Sequence, residues 1–198
     1  MSPITYPARP LNGGPLNKAL PKPGQWFYEP KYNGWRALVH IPTGMMFNRL
    51  GQPLTIANEF AKALSALRST LDAEVFKWAD CEALDRRHSI GKGTLILLDV
   101  VPEPAYACAI YQDRRPWTIV VPCCAPDERP KDGSLYRTPQ YTAEASMSTW
   151  TKLQGINRAW GCDFFEGLVA KRADSVYPIQ LRSPKAETPL WIKHRWAW

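Results

Sequence analysis

Histidine is scarce in this chain. Its three residues, His40, His88 and His194, are too scattered for an H-E-x-x-H pair or a His-rich metal site. Cysteine gives no framework either, because the five residues (Cys81, Cys108, Cys123, Cys124, Cys162) are odd in number and contain no C-x-x-C. A zinc ribbon is therefore excluded, and reduced thiols are expected rather than disulfides. No apolar run approaches the ~20 residues of a spanning helix, and the best one, Leu95 to Val101, is interrupted by Asp99. The first residues, Met1 to Pro7, have neither the basic nor the apolar region of a secretory signal. These absences predict a soluble, cytoplasmic protein with no membrane partner.

What is present points to one folded unit. A chain of 198 residues that is 45% hydrophobic is long enough to bury a core. Its 25 Lys and Arg against 18 Asp and Glu give a net charge of +7, which favours polyanionic partners such as nucleic acid or nucleotides and equally serves plain solubility. Nine of the first 24 residues are Pro or Gly, so residues 1–24 are expected to form an extended lead-in that wraps or hangs off the domain, with the packed domain spanning 25–198 and beginning near Trp26.

The hydrophobic pattern predicts an α+β domain. Residues 26–41 combine aromatic and β-branched side chains around Asn33-Gly34, the signature of a hairpin. Ile56, Phe60, Ala63, Leu64, Leu67 and Leu71 recur at helical spacing, as do Met147, Trp150, Leu153, Ile156 and Trp160. Strands are expected over 74–83, 94–101, 165–171 and 189–196, with one more from Trp117 to Val121 in the Pro-rich stretch 102–140. The first helix is expected to cover a sheet. Gly91-Lys92-Gly93-Thr94 is not a P-loop, because Arg86 and Gly93 stand where that motif needs Gly and Ser/Thr.

Four segments hold the residue types of phosphate chemistry. Glu29-Pro30-Lys31-Tyr32-Asn33-Gly34-Trp35-Arg36 presents an amine at a strand end with a second cation just beyond. Asp80-Cys81-Glu82 aims two carboxylates the same way, Glu166-Gly167-Leu168-Val169-Ala170-Lys171 separates a carboxylate and a lysine by a short strand, and Trp191-Ile192-Lys193-His194-Arg195 alternates aromatic and cationic residues. By chance, K-x-[DN]-G-x-R arises in a chain this long at roughly 0.4% and E-G-[LIV]-[VM]-x-[KR] at about 0.2%.

In order, these segments resemble motifs I, III, IV and V of the covalent nucleotidyltransferases, the superfamily of ATP-dependent DNA ligases, RNA ligases and mRNA capping enzymes. Asn48-Arg49-Leu50-Gly51 is similar to motif Ia and Leu97-Leu98-Asp99-Val100 to motif IIIa. The Glu-Gly form of the fourth segment favours ligases over capping enzymes. The resemblance covers 25–196. It implies a ligase-type nucleotidyltransferase domain of antiparallel sheets and flanking helices around a nucleotide cleft.

The resemblance also implies roles. Lys31 is expected to attack the α-phosphate of ATP and form lysyl-AMP, which requires a neutral amine and so a site that lowers an ordinary lysine pKa of ~10.4. Lys171 and Lys193 are expected to assist that step and neutralise the phosphates, and Glu82 and Glu166 to hold Mg²⁺. Glu29 matches a position that holds adenine, and Arg36 and Arg49 match groups that contact the nucleotide or a 5′-phosphate; a surface ion pair is the plainer reading of Glu29 and Arg49. Glu82 also matches a ribose contact. Leu98 stands where many relatives stack an aromatic ring on adenine, which leaves Trp35 as a substitute ring.

The expected acceptor is nicked duplex DNA, sealed through a 5′-adenylylated strand, with RNA ends or a capping reaction as the alternative and a non-catalytic nucleotide- or DNA-binding module as a third. The sequence ends three residues after Arg195, whereas ligases continue into an OB-fold domain. A minimal enzyme without that domain is therefore expected, with slow self-adenylylation and weak, salt-sensitive nick binding unless a separate OB-fold or DNA-clamping polypeptide supplies it. A bacterial or viral setting suits such a protein. The nine tryptophans read as core or as base platforms, and Trp196 and Trp198 as a tail that folds over the cleft or docks a partner.

Overall fold

The computed structural model describes residues 8–16, 24–101, 109–179 and 186–196. Its strands, in chain order, are β1 (Arg9–Asn12), β2 (Trp26–Tyr32), β3 (Trp35–His40), β4 (Met45–Phe47) and β5 (Trp78–Leu84), followed by β6 (Thr94–Val101), β7 (Leu135–Arg137), β8 (Phe165–Arg172) and β9 (Glu187–Arg195). They form two sheets, one ordered β1-β9-β8-β2 and the other β4-β3-β5-β6-β7. Helices α1 (Ala61–Thr70), α2 (Tyr111–Arg114) and α3 (Ser146–Trp160) complete the α+β architecture.

Each sheet has its own apolar face. Ala79, Cys81 and Ala83 of β5 and Leu95 and Leu97 of β6 point into one cluster, which α1 covers with Ala63, Leu64 and Leu67. Trp26, Tyr28 and Tyr32 of β2 and Leu168 and Ala170 of β8 enter a second cluster, closed by Trp150 and Leu153 of α3. The side chains between these, at alternate positions on the same strands, are left facing the space between the sheets.

The predicted hairpin at Asn33-Gly34 does not form. Strand β2 pairs with β8, and β3 pairs with β4 and β5, so the chain crosses from one sheet to the other at these two residues. The backbone amide of Asn33 donates to the Phe164 carbonyl at 3.0 Å, a bond to the first sheet's side, while Gly34 lies against β5. A Cβ on Gly34 would stand 2.9 Å from both the Ala83 carbonyl oxygen and Glu82 Cγ, so glycine is required here for close approach rather than for a tight turn.

Other differences have equally local causes. Arg9–Asn12, within the expected extended lead-in, forms a parallel edge strand on β9, so the sheet begins ahead of Trp26. Trp117–Val121 is not a strand: Arg115–Thr118 is a 3₁₀ turn with Pro116 at its start, where its missing N–H costs nothing, and the Thr118 hydroxyl donates to the Arg115 carbonyl at 2.9 Å. Strand β5 starts at Trp78 rather than 74, because Asp72 accepts from the Glu74 amide at 2.8 Å and holds a turn before it. Two pairings are parallel, β1 with β9 and β6 with β7, where antiparallel sheets were expected.

Pro30 is accommodated because β2 is an edge strand. Tyr28 exchanges backbone hydrogen bonds with Tyr141 at 2.8 Å in an isolated bridge on the outer side, and Pro30, two residues on, turns its donorless nitrogen the same way. The start of β8 is pinned by buried Asn157 of α3, whose Nδ2 donates to the Phe165 carbonyl at 2.8 Å and whose Oδ1 accepts from the Phe165 amide at 3.0 Å. Asn157→Ala would strand both backbone groups, and we expect a loss of about 2–4 kcal/mol in urea unfolding; a loss below 0.5 kcal/mol would contradict this role.

Candidate active site

The two sheets face each other across a cleft of about 560 Å³, within the range of small-molecule sites. Strand alternation places Glu29 and Lys31 of β2 on it, together with Val169 and Lys171 of β8, and Trp191, Lys193 and Arg195 of β9. From the other sheet come Arg36 of β3, Asp80 and Glu82 of β5, and Leu98 of β6. Residues from five distant segments, read separately from the sequence, thus share one cavity.

Lys31 sits at the end of β2, just before the crossing between sheets, and its ammonium contacts the Glu166 carboxylate. Strand alternation alone would turn Glu166 away, because neighbouring Leu168 and Ala170 face the core. A bulge resolves this: Lys31 pairs with Gly167 and Tyr32 with Phe165, so Glu166 is the extra residue and its side chain is re-aimed. Arg195 approaches the same carboxylate at 3.0 Å.

Glu82 lies beside this pair, accepting from the Gly34 amide at 3.1 Å. Burial pushes its carboxyl up to about 7, against the opposing charges of Lys31 and Arg36 and with the added repulsion of Glu166 and Asp80. A carboxyl with a raised pKa binds a proton on folding between roughly pH 4.5 and 7, so its ionisation erodes stability as pH rises through that window. We therefore expect metal-free Glu82→Gln to gain on the wild type by on the order of 1–2 kcal/mol between pH 5 and 8. Parallel stability–pH curves for the two proteins would refute it.

Arg36 is committed to Asp80, with Nε and Nη2 at 2.9 and 2.5 Å from its two oxygens, and lies over the Trp191 ring at 5.4 Å. Tyr177 donates to the same carboxylate at 3.0 Å. Lys171, expected to meet phosphate, is almost wholly buried: its ammonium pairs with Glu29 at 2.9 Å, donates to the Leu98 carbonyl at 3.2 Å, and lies between the rings of Tyr111 and Trp191 at 4.9 and 4.7 Å. The Tyr111 hydroxyl donates to the other Glu29 oxygen. Glu29 is therefore a buried, fully paired carboxylate and not a surface ion pair.

Lys193 faces Glu187 at 3.8 Å and is held below the ordinary lysine value, first by burial and then by the charge of Arg9. Arg49 stands exposed at the cleft mouth, in a turn built by Asn48, whose Oδ1 accepts from the amides of Leu50 and Gln52 at 2.8 and 3.1 Å. Trp35 lines the cleft with 42% of its surface exposed, and Arg87 covers its ring at 4.7 Å. Trp196 packs against Trp150 at 5.1 Å, on the core of the first sheet; Trp198 lies outside the described residues. Sequence reasoning missed Arg9, Tyr111 and Tyr177, none of which lies in a recognisable motif.

Among the described residues no group of three or more His, Cys, Asp or Glu is gathered as a ready-made metal site. Glu82 and Glu166, close enough to repel one another beside Lys31, still suit Mg²⁺, which takes most of its ligands from water and substrate phosphates. No helix among these residues is long and apolar enough to cross a membrane.

The same arrangement of strands occurs in solved structures. A mycobacterial DNA ligase D complexed with ATP and MES matches 99% of this chain at a TM-score of 0.60 and 21% identity, over 62% of its own length. The ligase domain of M. tuberculosis LigD matches 98% at 0.59 and 19% identity, over 60% of its length. The fold is that of the ATP-dependent DNA ligase nucleotidyltransferase domain. A Chlorella virus DNA ligase-adenylate shares this ligase fold over 96% of the chain, at 0.56 and 14% identity, over 68% of its length. The chain spans 47–62% of the length of the first three ligase structures it matches. No protein-family model and no curated protein sequence matches it.

Proposed function

We propose that this protein is an ATP-dependent polynucleotide ligase that adenylylates itself on Lys31 and passes AMP to a 5′-phosphate at a nick in DNA. The observation that supports this best is the placing of Lys31, in contact with Glu166 and beside Glu82, at the junction of two sheets whose facing walls are rich in cations.

The chemistry follows from that placing. Attack requires the Lys31 amine without its extra proton, and Glu166, in contact with it, is the acceptor at hand. The amine nitrogen bonds to the α-phosphorus, the bond from that phosphorus to the bridging oxygen of the β-phosphate breaks, and pyrophosphate leaves with the electron pair. Lys193 and Arg195 on strand β9, one strand beyond β8, offset the charge on the phosphates. Glu82 and Glu166 would hold Mg²⁺, which when bound neutralises phosphate oxygens. Leu98 and Trp35 offer apolar surface to the base, and Arg49, exposed at the cleft mouth, is available to a nucleotide or a strand phosphate, while Arg36 stays paired with Asp80 on the same wall.

The deciding experiment incubates the protein with α-labelled ATP and Mg²⁺, then adds nicked DNA, nicked RNA or no acceptor. Protein-bound label that moves to the 5′-phosphate of nicked DNA supports the proposal. Transfer to RNA alone reassigns the acceptor, and no label at all leaves a nucleotide-binding module. Binding of the nick is expected to fall steeply with salt, as phosphate contacts demand. A separate OB-fold or DNA-clamping polypeptide, added to the same reaction, is expected to raise nick affinity if it is the partner.

A further inference from the structure

Among the described residues, seven Lys or Arg side chains line the cleft, and six belong to segments singled out from the sequence; the seventh is Arg9. It arrives from outside every motif, on strand β1. Its backbone amide donates to the Ala186 carbonyl at 2.8 Å, and Arg9 and Pro10 pair in register with Glu187 and Thr188, so its position is fixed by the sheet.

Its electrostatic setting differs from that of its neighbours. Arg36, Lys171 and Arg195 each have a carboxylate within 3.0 Å, and Lys31 is in contact with Glu166. Arg9 makes no ion pair among the described residues, and Lys193, near enough to feel its charge, has only Glu187 at 3.8 Å. Two neighbouring cations with one distant carboxylate repel each other, and a multiply charged anion between them would relieve that repulsion. The Lys193 side chain is only 14% exposed, so such an anion has to enter the cleft rather than pass over the surface. A nucleotide's terminal phosphates meet that condition better than a duplex backbone does.

We infer that Arg9, together with Lys193, binds the β- and γ-phosphates of the nucleotide and receives the leaving pyrophosphate. This rests on the adenylyl transfer proposed above. As the bond between the α-phosphorus and the bridging oxygen breaks, the electron pair and the new charge stay on pyrophosphate, where a guanidinium gives a planar two-pronged contact and Lys193 a point charge.

The test compares Arg9→Gln and Arg9→Lys with the wild type in two reactions: single-turnover lysyl-AMP formation from α-labelled ATP, and sealing of a nick that already bears a 5′-adenylate, which releases no pyrophosphate. Arg9→Gln is expected to slow the first 10- to 100-fold, to raise the ATP concentration needed for half-maximal rate, and to raise by a similar factor the pyrophosphate needed to strip label from the enzyme. Sealing should stay within twofold, and Arg9→Lys should recover part of the loss. Equal slowing of both reactions would make Arg9 merely structural, and no slowing of either would remove it from the site; both overturn the inference. A wild type that never takes up label overturns the adenylyl-transfer proposal instead.

Discussion

Lys31→Ala should take up no label from α-labelled ATP on a denaturing gel, a loss of about three orders of magnitude or more, because no other amine among the described residues is placed to accept AMP in its stead. The neighbouring lysines do not substitute: Lys171 is buried against Glu29 and two rings, and Lys193 lies toward Glu187. The variant should still fold, since Glu166 keeps Arg195 at 3.0 Å and is not left as a lone carboxylate. Lys31→Arg sharpens the test. A guanidinium keeps the charge opposite Glu166 but stays protonated and cannot attack, so it should be as inactive as Ala while melting within a few degrees of the wild type. Persistent labelling of either variant would move the nucleophile elsewhere.

Gly167→Ala is expected to be the most damaging single-methyl change. A Cβ there would fall 1.9 Å from the His194 carbonyl oxygen and 3.0 Å from Arg195 Cα, both backbone atoms of the paired strand β9, and the residue has φ +148°. Neither the clash nor the dihedral can be relieved by a side-chain rotation, so β8 and β9 must separate where Glu166, Lys193 and Arg195 converge. We expect a loss of about 4 kcal/mol or more, or failure to fold, read by denaturant unfolding. Any folded fraction should have lost covalent labelling with the Glu166 contact. A variant within 1 kcal/mol of the wild type would mean that the bulge at Glu166 is not built as described.

The elements that were legible are those whose pattern depends on near neighbours. Helix α1 was visible from the spacing of Ala63, Leu64 and Leu67, and α3 from Trp150 and Leu153, since one buried face on a helix writes a 3.6-residue period into the sequence. Strand β6 was visible as a continuous apolar run because both its faces are covered. Arg9–Asn12 was not, because a four-residue edge strand held by backbone bonds to β9 needs no particular side-chain pattern. Asn33-Gly34 misled for a related reason. The dipeptide is compatible with a tight turn, and only the Ala83 carbonyl and Glu82, 48 and more residues away, reveal that its glycine serves close packing between sheets.

The site divides the same way. Most of the candidate side chains were legible in the sequence, through the order of six short segments and the chemistry each residue type permits, and the strands that present them follow from two-residue alternation. Their pairing came only from the tertiary structure. Glu166 meets Lys31 through a bulge, Lys171 is buried against Glu29 rather than open to solvent, and Arg9 enters from an unmarked strand. Charge and alternation are local properties of a chain, whereas which carboxylate neutralises which amine depends on strand register between segments more than a hundred residues apart, and register is decided by packing both sheets at once.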